Sequence, residues 1–128
     1  MAARAFAVAL TTLLGWAAGA GAHHSVAGVF DSSKKVSLTG TINKVDWINP
    51  HTNIYLDVKD EHGAVTTWRF ESLPTAMLRK AGLTSQLIMA EGSQVTAEAI
   101  LARDGTAHLG YLLKLTYEDG HFYQLAGE

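Results

Sequence analysis

The segment that decides the fold is "KKVSLTGTINKVDWINP", residues 34–50. Its apolar residues alternate with polar ones, as in a β-strand that buries one face. The alternation changes parity part-way, because the second apolar set, Val45 and Trp47, stands at odd positions. The first set, at even positions, comprises Val36, Leu38 and Ile42. Since successive side chains point to opposite faces, both sets can face one core only if the strand contains an extra residue.

We therefore predict one long strand with a β-bulge near Asn43 and Lys44. Gly40 would help such a strand to bend. The dipeptide Asn49-Pro50 would end it, because this pair favours a turn.

Further strands follow on both sides of a predicted helix. The strand segments are "HTNIYLDVKD" (51–60), "AVTTWRFES" (64–72), "QVTAEAILA" (94–102), "AHLGYLLKLTY" (107–117) and the short "FYQL" (122–125). The helix covers residues 72–82, with Ser72 as its N-cap, Pro74 in its first turn and Gly82 at its end. This order predicts a mainly β protein with one helix after the third strand. It is either a small OB-like barrel or a strongly bent antiparallel sheet.

Two of these elements carry explicit predictions about burial. The helix is expected to bury the stripe Leu73, Met77, Leu78 and Ala81. The strand over 107–117 is expected to place its alternating apolar residues on one face, namely Leu109, Tyr111, Leu113, Leu115 and Tyr117.

The first 22 residues are interpreted as a signal peptide. Arg4 precedes an uncharged apolar stretch, and Ala20 and Ala22 form the small-residue pattern that signal peptidase accepts. The alternative is an uncleaved N-terminal anchor helix. Cleavage after Ala22 would leave residues 23–128 as a single β-barrel-like domain in the periplasm or outside the cell.

Composition narrows the classes of function. The chain contains no cysteine, so stability must come from a core rather than from disulfides. Without Arg4, residues 23–128 carry nine basic and twelve acidic residues, a formal charge of −3. This balance argues against nucleic acid as a partner and, after signal cleavage, against a membrane.

The segment "AGAHHSVAGVF" (19–29) suggests a metal site. If cleavage follows Ala22, His23 becomes the N-terminus, and its amine has a pKa of about 7.7 to 8. That amine and the ring nitrogen of the same residue can chelate one metal ion, and His24 adds a second imidazole. Nitrogen ligands of this kind suit Cu(II) best, ahead of Ni(II) and Zn(II).

His51 is the candidate for a third ligand, because it begins a strand directly after a turn and so has a firm support. Glu71, at the end of the third strand, is a weaker candidate for an oxygen ligand. The alternative is that His23 and His24 are solvated and that His51 hydrogen-bonds within the turn. His62, His108 and His121 are expected at the surface, with His108 on the polar face of a strand.

A second hypothesis is a metal-free binding module. Tyr55 is predicted to point outward, and OB barrels often use one sheet face for a small ligand or a protein partner. Enzymatic function has less support, since there is no cysteine nucleophile, Gly-rich phosphate loop or HExxH helix. An oxidative copper enzyme stays open as a third reading, and whether the protein is an enzyme is left uncertain.

Several of these motifs together resemble a family. They are the "HHS" that would start the mature chain, the W-x-N-P-H element (Trp47, Asn49, Pro50 and His51), "TTWRFES" and "LPTAMLRKAG". In this combination the chain resembles a group of small exported bacterial proteins classified as a domain of unknown function. The resemblance implies a small exported β domain. It supplies no activity, but it draws attention to His23, His24 and His51 together.

Overall fold

The computed structural model describes residues 25–84, 86 and 93–126. In chain order its elements are α1 (Val26–Val29), β1 (Phe30–Asp46), β2 (Asn53–Lys59), β3 (Val65–Glu71), α2 (Thr75–Lys80), β4 (Gln94–Ala102), β5 (Leu109–Tyr117) and β6 (Phe122–Gln124). None of the helices in this described part has the length and apolar character that a membrane crossing requires.

Five of the strands form a closed ring. The first strand pairs with β2 through its C-terminal part and with β4 through the rest of its length. The pairs β2–β3 and β4–β5 are also antiparallel, whereas β3 and β5 run parallel and complete the ring. The ring order β1-β2-β3-β5-β4, with a helix between β3 and β4, is that of an OB-type barrel. The predicted fold class is confirmed, and β6 adds to one side of β5.

The predicted bulge is also confirmed. The β1–β2 register shifts between Ile42 and Lys44, so that the apolar residues on either side of the shift reach the same core. A second irregularity separates Asp31 from Lys35 in the pairing with β4. The strand begins at Phe30, earlier than the apolar alternation predicts, and is long enough to pair with both of its neighbours.

Side chains from every strand of the ring and from the α2 region fill the barrel. The largest fully buried members of this core are Phe70, Ile54, Leu56, Leu78, Leu83, Leu112, Leu115 and Val95. The prediction for the helix was partly wrong. The helix starts at Thr75 with Pro74 as its N-cap, and Ser72 is a buried residue ahead of it. Leu78 is buried, but the side chain of Met77 is 51% exposed.

A second apolar cluster lies on the outer side of β5. It consists of Phe30, Ile100, Ala102, Leu109, Tyr111 and Leu113, with Val26, Val29 and Ala126 packed against it. The prediction that β5 places its apolar residues on one face was therefore wrong. The β4–β5 register shifts between Glu98 and Ala99, which lets Leu115 return to the barrel core beside Leu112. Both faces of β5 are consequently buried.

Candidate functional site

The loop that carries His51 joins β1 to β2 and is fastened to the segment between β3 and α2. The side-chain Oδ1 of Asn49 accepts hydrogen bonds from the backbone N and the Oγ1 of Thr75, both at 3.1 Å. The Thr52 N–H donates to the Leu73 carbonyl at 3.2 Å, and the Ser72 N–H donates to the Thr52 carbonyl at 2.8 Å. These bonds hold the loop on both sides of a cis Asn49-Pro50 peptide.

The imidazole of His51 is half-buried and oriented by one hydrogen bond. Its Nδ1 lies 3.2 Å from the backbone carbonyl oxygen of Ser72. Because a carbonyl can only accept, Nδ1 must be the donor, which fixes the tautomer of the neutral ring. The lone pair of Nε2 is then available to a metal ion, and a backbone carbonyl on the other nitrogen is a common arrangement around metal-binding histidines.

Two buried hydroxyl groups flank this histidine. Thr52 and Ser72 are fully buried, and neither hydroxyl oxygen has a hydrogen-bond partner among the described residues. Backbone groups and the Asn49 side chain, rather than these two hydroxyls, therefore hold the loop in place.

Glu71, the predicted oxygen ligand, is the last residue of β3. Its backbone pairs with Asn53 of β2 on one side and with Tyr111 of β5 on the other. The carboxylate is only 26% exposed and lies 4.0 Å from the Nη2 of Arg69, a loose ion pair. Burial, and then the negative charge of Glu71, raise the pKa of the Tyr111 hydroxyl. A partly buried, weakly paired carboxylate thus lies one strand away from Tyr111.

The first helix approaches the same surface from the other side. The rings of Phe30 and Tyr111 are 5.5 Å apart, and Val26 and Val29 of α1 pack against the cluster that contains them. Adjacent strands lie about 4.8 Å apart. The β5 residue Tyr111 is therefore one strand from Glu71 and two strands from β2, which follows the His51 loop.

The predicted ligands have different outcomes. His51 lies in the β1–β2 loop, two residues before β2 begins at Asn53 rather than in the strand itself, and its ring is held by the neighbouring segment. His23 and His24 lie outside the described residues, so their place at this site stays a prediction. Within residues 25–84, 86 and 93–126, no three His, Asp or Glu side chains are grouped closely enough to hold a metal ion.

The other histidines lie at the surface, as predicted. His62 and His121 are in or beside turns, and His121 stacks on Tyr117 with a ring-centroid distance of 4.3 Å. His108 is in the β4–β5 turn with φ of 54° rather than on a strand, so that part of the prediction was wrong. Its ring packs against that of Trp68 in a T-shaped arrangement, with ring centroids 5.1 Å apart.

The outer face around Tyr55 is polar and internally paired. The ammonium group of Lys44 lies 5.2 Å from the centre of the Tyr55 ring and 2.7 Å from a carboxylate oxygen of Asp46. On the same face, hydrogen bonds from Thr67 and then Asn43 lower the pKa of Asp57.

The sequence does not reveal what orients His51. The acceptor is the main-chain carbonyl of Ser72. Because every residue has such a carbonyl, the residue type cannot identify it as the partner of His51. The helix-capping pattern drew attention to the side chain of Ser72 instead. The strand register Asn53↔Glu71 is the feature that brings residue 51 beside this segment.

The fold and this site define a small OB-type barrel with an oriented, half-buried histidine in the loop before β2. Residues 10–110 match the model of DUF6152, a family of unknown function, and the chain belongs to that family. No curated protein matches the chain. No solved structure matches it either.

Proposed function

We propose that the protein is exported, that its mature chain begins at His23, and that it binds Cu(II). The ligands would be the amine and ring of His23, the ring of His24 and the Nε2 of His51. Metal handling or delivery in the periplasm or outside the cell is the function that such a site would serve.

The observation that carries this proposal is the hydrogen bond from His51 Nδ1 to the Ser72 carbonyl. It leaves Nε2 with a free lone pair, on a loop fastened by four further hydrogen bonds. A ligand held in this way loses little conformational freedom when a metal binds.

The proposal requires the residues ahead of Ser25 to reach from α1 towards β2. The helix α1 packs against the outer cluster that includes Tyr111, and the strand holding that residue is two strands from β2. Two residues precede Ser25 in a chain that begins at His23, and two extended residues span about 7 Å. Their imidazole rings extend that reach further. Glu71, at the end of the strand between β5 and β2, is a candidate fourth ligating residue.

The donor set favours copper. A deprotonated amine and imidazole nitrogens bind divalent metals in the order that peaks at Cu(II). The amine of a mature N-terminus can lose its proton near neutral pH, since its ordinary pKa is about 7.7 to 8.

The test compares Cu(II) affinity, measured by competition with a chelator of known affinity, in four proteins. They are the chain that begins at His23, the same chain with one glycine added before His23, and the variants His51→Ala and His62→Ala. The added glycine and His51→Ala should each weaken binding at least about tenfold, since even groups that only orient a metal ligand contribute that much. The control, His62→Ala, removes an exposed histidine from a turn and should bind as wild type does.

Each other result has a defined meaning. Equal affinity with and without the extra glycine removes the N-terminal amine from the site. Unchanged affinity in His51→Ala would show that His51, the ligand supplied by the barrel, does not bind the metal. Absence of Cu(II) binding in the chain that begins at His23 would favour the metal-free binding module, in which Tyr55→Ala rather than a histidine substitution abolishes binding of a partner.

A further inference from the structure

A cavity of about 340 Å³ opens beside Trp68. Its walls come from β1, β3, the end of β4 and the β4–β5 turn. They are Lys34, Trp68, Leu101, Ala102 and residues 105–108. Pockets that bind small molecules enclose about 300 to 1,000 Å³ and have mostly apolar walls with a few polar groups. This set of residues, the Trp68 pocket, meets that description.

The indole of Trp68 forms an aromatic wall that is already fixed in place. It packs against the barrel core and stacks on Phe70, with ring centroids 5.9 Å apart and ring planes at 11° to each other. The imidazole of His108 packs against it from another direction. Phe70 is fully buried, whereas Trp68 keeps part of its surface exposed. A flat apolar molecule can therefore pack against a preformed ring surface, which reduces the entropic cost of binding.

The β4–β5 turn supplies a rigid rim. Asp104 Oδ1 accepts hydrogen bonds from the Thr106 N–H at 2.9 Å and from the Thr106 Oγ1 at 2.6 Å. The end of the turn is tied to β3, because the His108 carbonyl accepts a hydrogen bond from the Arg69 N–H at 2.9 Å. His108 has φ of 54°, which is uncommon for a residue with a side chain. The bond to β3 and the contact with Trp68 hold it in this conformation.

The charges at the pocket favour an anion. Two of the wall residues are basic, Lys34 and His108, and among the residues that line this cavity none is acidic. The nearby carboxylate of Asp104 is already engaged by Thr106 within the turn. A ligand with a negative charge therefore meets basic groups on entering the pocket.

The ammonium group of Lys34 is available to such a ligand. Lys34 lies in the irregular part of β1, where the register with β4 shifts between Asp31 and Lys35. Its Nζ is 3.9 Å from Asp31 Oδ2, in a loose pair whose lysine side chain is 50% exposed. Asp31 is shared with Arg103, which lies 3.8 Å away. Because exposed pairs of this kind contribute little and an ammonium has three donors, Lys34 can also bind a carboxylate.

We propose that the Trp68 pocket binds a small anionic molecule with a flat apolar body, of the chemical class of aromatic carboxylates. The ring of the ligand packs against Trp68, and its carboxylate accepts a hydrogen bond from Lys34. The site needs no metal ion. It is also distinct from the face around Tyr55, because Tyr55 pairs with Arg69 and the adjacent Trp68 points to the opposite face of the sheet.

The test titrates the metal-free chain that begins at His23 with cinnamate, and separately with cinnamamide, which has the same flat shape without the charge. Nuclear magnetic resonance follows the indole N–H of Trp68 and the amides of Gly105 and Thr106. The indole N–H of Trp47, which lies beneath Arg79, is the internal control. Cinnamate should shift the three pocket signals along one saturable curve and leave the Trp47 signal in place.

Two lysine variants test the charge. Lys34→Gln should weaken cinnamate binding about threefold to fivefold, the range expected for an exposed ion pair. Cinnamamide should bind the wild-type protein more weakly than cinnamate by a similar factor. The matched control is Lys35→Gln, which removes an exposed lysine from the next position of β1, outside the walls of the pocket. It should bind cinnamate as wild type does.

The remaining outcomes overturn the inference. Pocket signals that do not move, or that move no more than the Trp47 signal, show that the pocket is not a binding site. Equal affinity for cinnamate and cinnamamide shows that the ligand need not be an anion. Unchanged cinnamate affinity in Lys34→Gln, or an equal loss in Lys35→Gln, removes Lys34 as the group that holds the carboxylate.

Discussion

Replacing Gly40 with alanine should destabilise the barrel strongly, because β1 passes very close to β2 at this residue. A Cβ added to Gly40 would lie 2.3 Å from the carbonyl oxygen of Asp57, 3.0 Å from its carbonyl carbon and 3.1 Å from Leu56 Cγ. The oxygen belongs to the backbone of a paired strand, since Thr41 pairs with Asp57. It cannot rotate away as the end of a side chain could.

The magnitude follows from how far the strands must separate. Carbon and oxygen atoms that are not bonded to each other need more than 3 Å, so β1 and β2 would have to move apart by nearly 1 Å. Strand β1 is held on its other side by β4, where Gly40 pairs with Val95. Forcing extra volume into such a site costs about 3 kcal/mol. In a domain of about 100 residues, that loss lowers the melting temperature by roughly 12 to 24 °C.

Thermal and urea unfolding followed by circular dichroism would measure this effect. Ser37→Ala is the matched control, because Ser37 is an exposed residue on the same strand and such changes stay within about 0.5 kcal/mol. A neutral substitution changes the melting temperature by about 2 °C or less. A Gly40→Ala protein that melts within this range of wild type would refute the close-approach reasoning. The two strands could then separate without measurable cost.

Two further predictions concern a tyrosine at the end of β5 and the loop that carries His51. Burial, and then the charge of Tyr123, raise the pKa of Tyr117 from 10.0 to about 12 in the folded protein. Between these two values the unfolded chain has lost the Tyr117 proton while the folded chain still holds it. The free energy of unfolding should therefore fall as pH rises from about 10 to about 12. Urea unfolding at pH 9 to 12 should show a steeper fall in wild type than in Tyr117→Phe, which keeps only the smaller contribution of groups such as Tyr111; an identical slope in both proteins would contradict the assignment. Asn49→Ala removes the acceptor of two hydrogen bonds from Thr75 and should lower the free energy of unfolding by about 1 to 2 kcal/mol. It should also weaken Cu(II) binding because it loosens the His51 loop, and a variant that loses stability but binds copper as tightly as wild type would show that the loop does not serve the site.

The sequence by itself determined most of the barrel. Alternation of apolar residues defines strands because their side-chain period is two, and the change of parity between Ile42 and Val45 required the bulge that the structure has. The Asn49-Pro50 turn, the presence of a helix between β3 and β4 and the position of His51 shortly before β2 also followed from local patterns. Each of these features depends on neighbours along the chain.

Tertiary structure decided what local patterns could not. A bulge in β5 divides its apolar residues between the barrel core and an outer cluster, and alternation in one strand cannot report the register of its partner. The same limit applies to two contacts between segments that are distant in sequence. The Ser72 carbonyl that orients His51 is 21 residues away in sequence, and the Ala27 carbonyl to which the Arg103 guanidinium donates is 76 residues away. Both contacts involve backbone carbonyls, which every residue has, so only the closed ring of strands could bring these particular groups together.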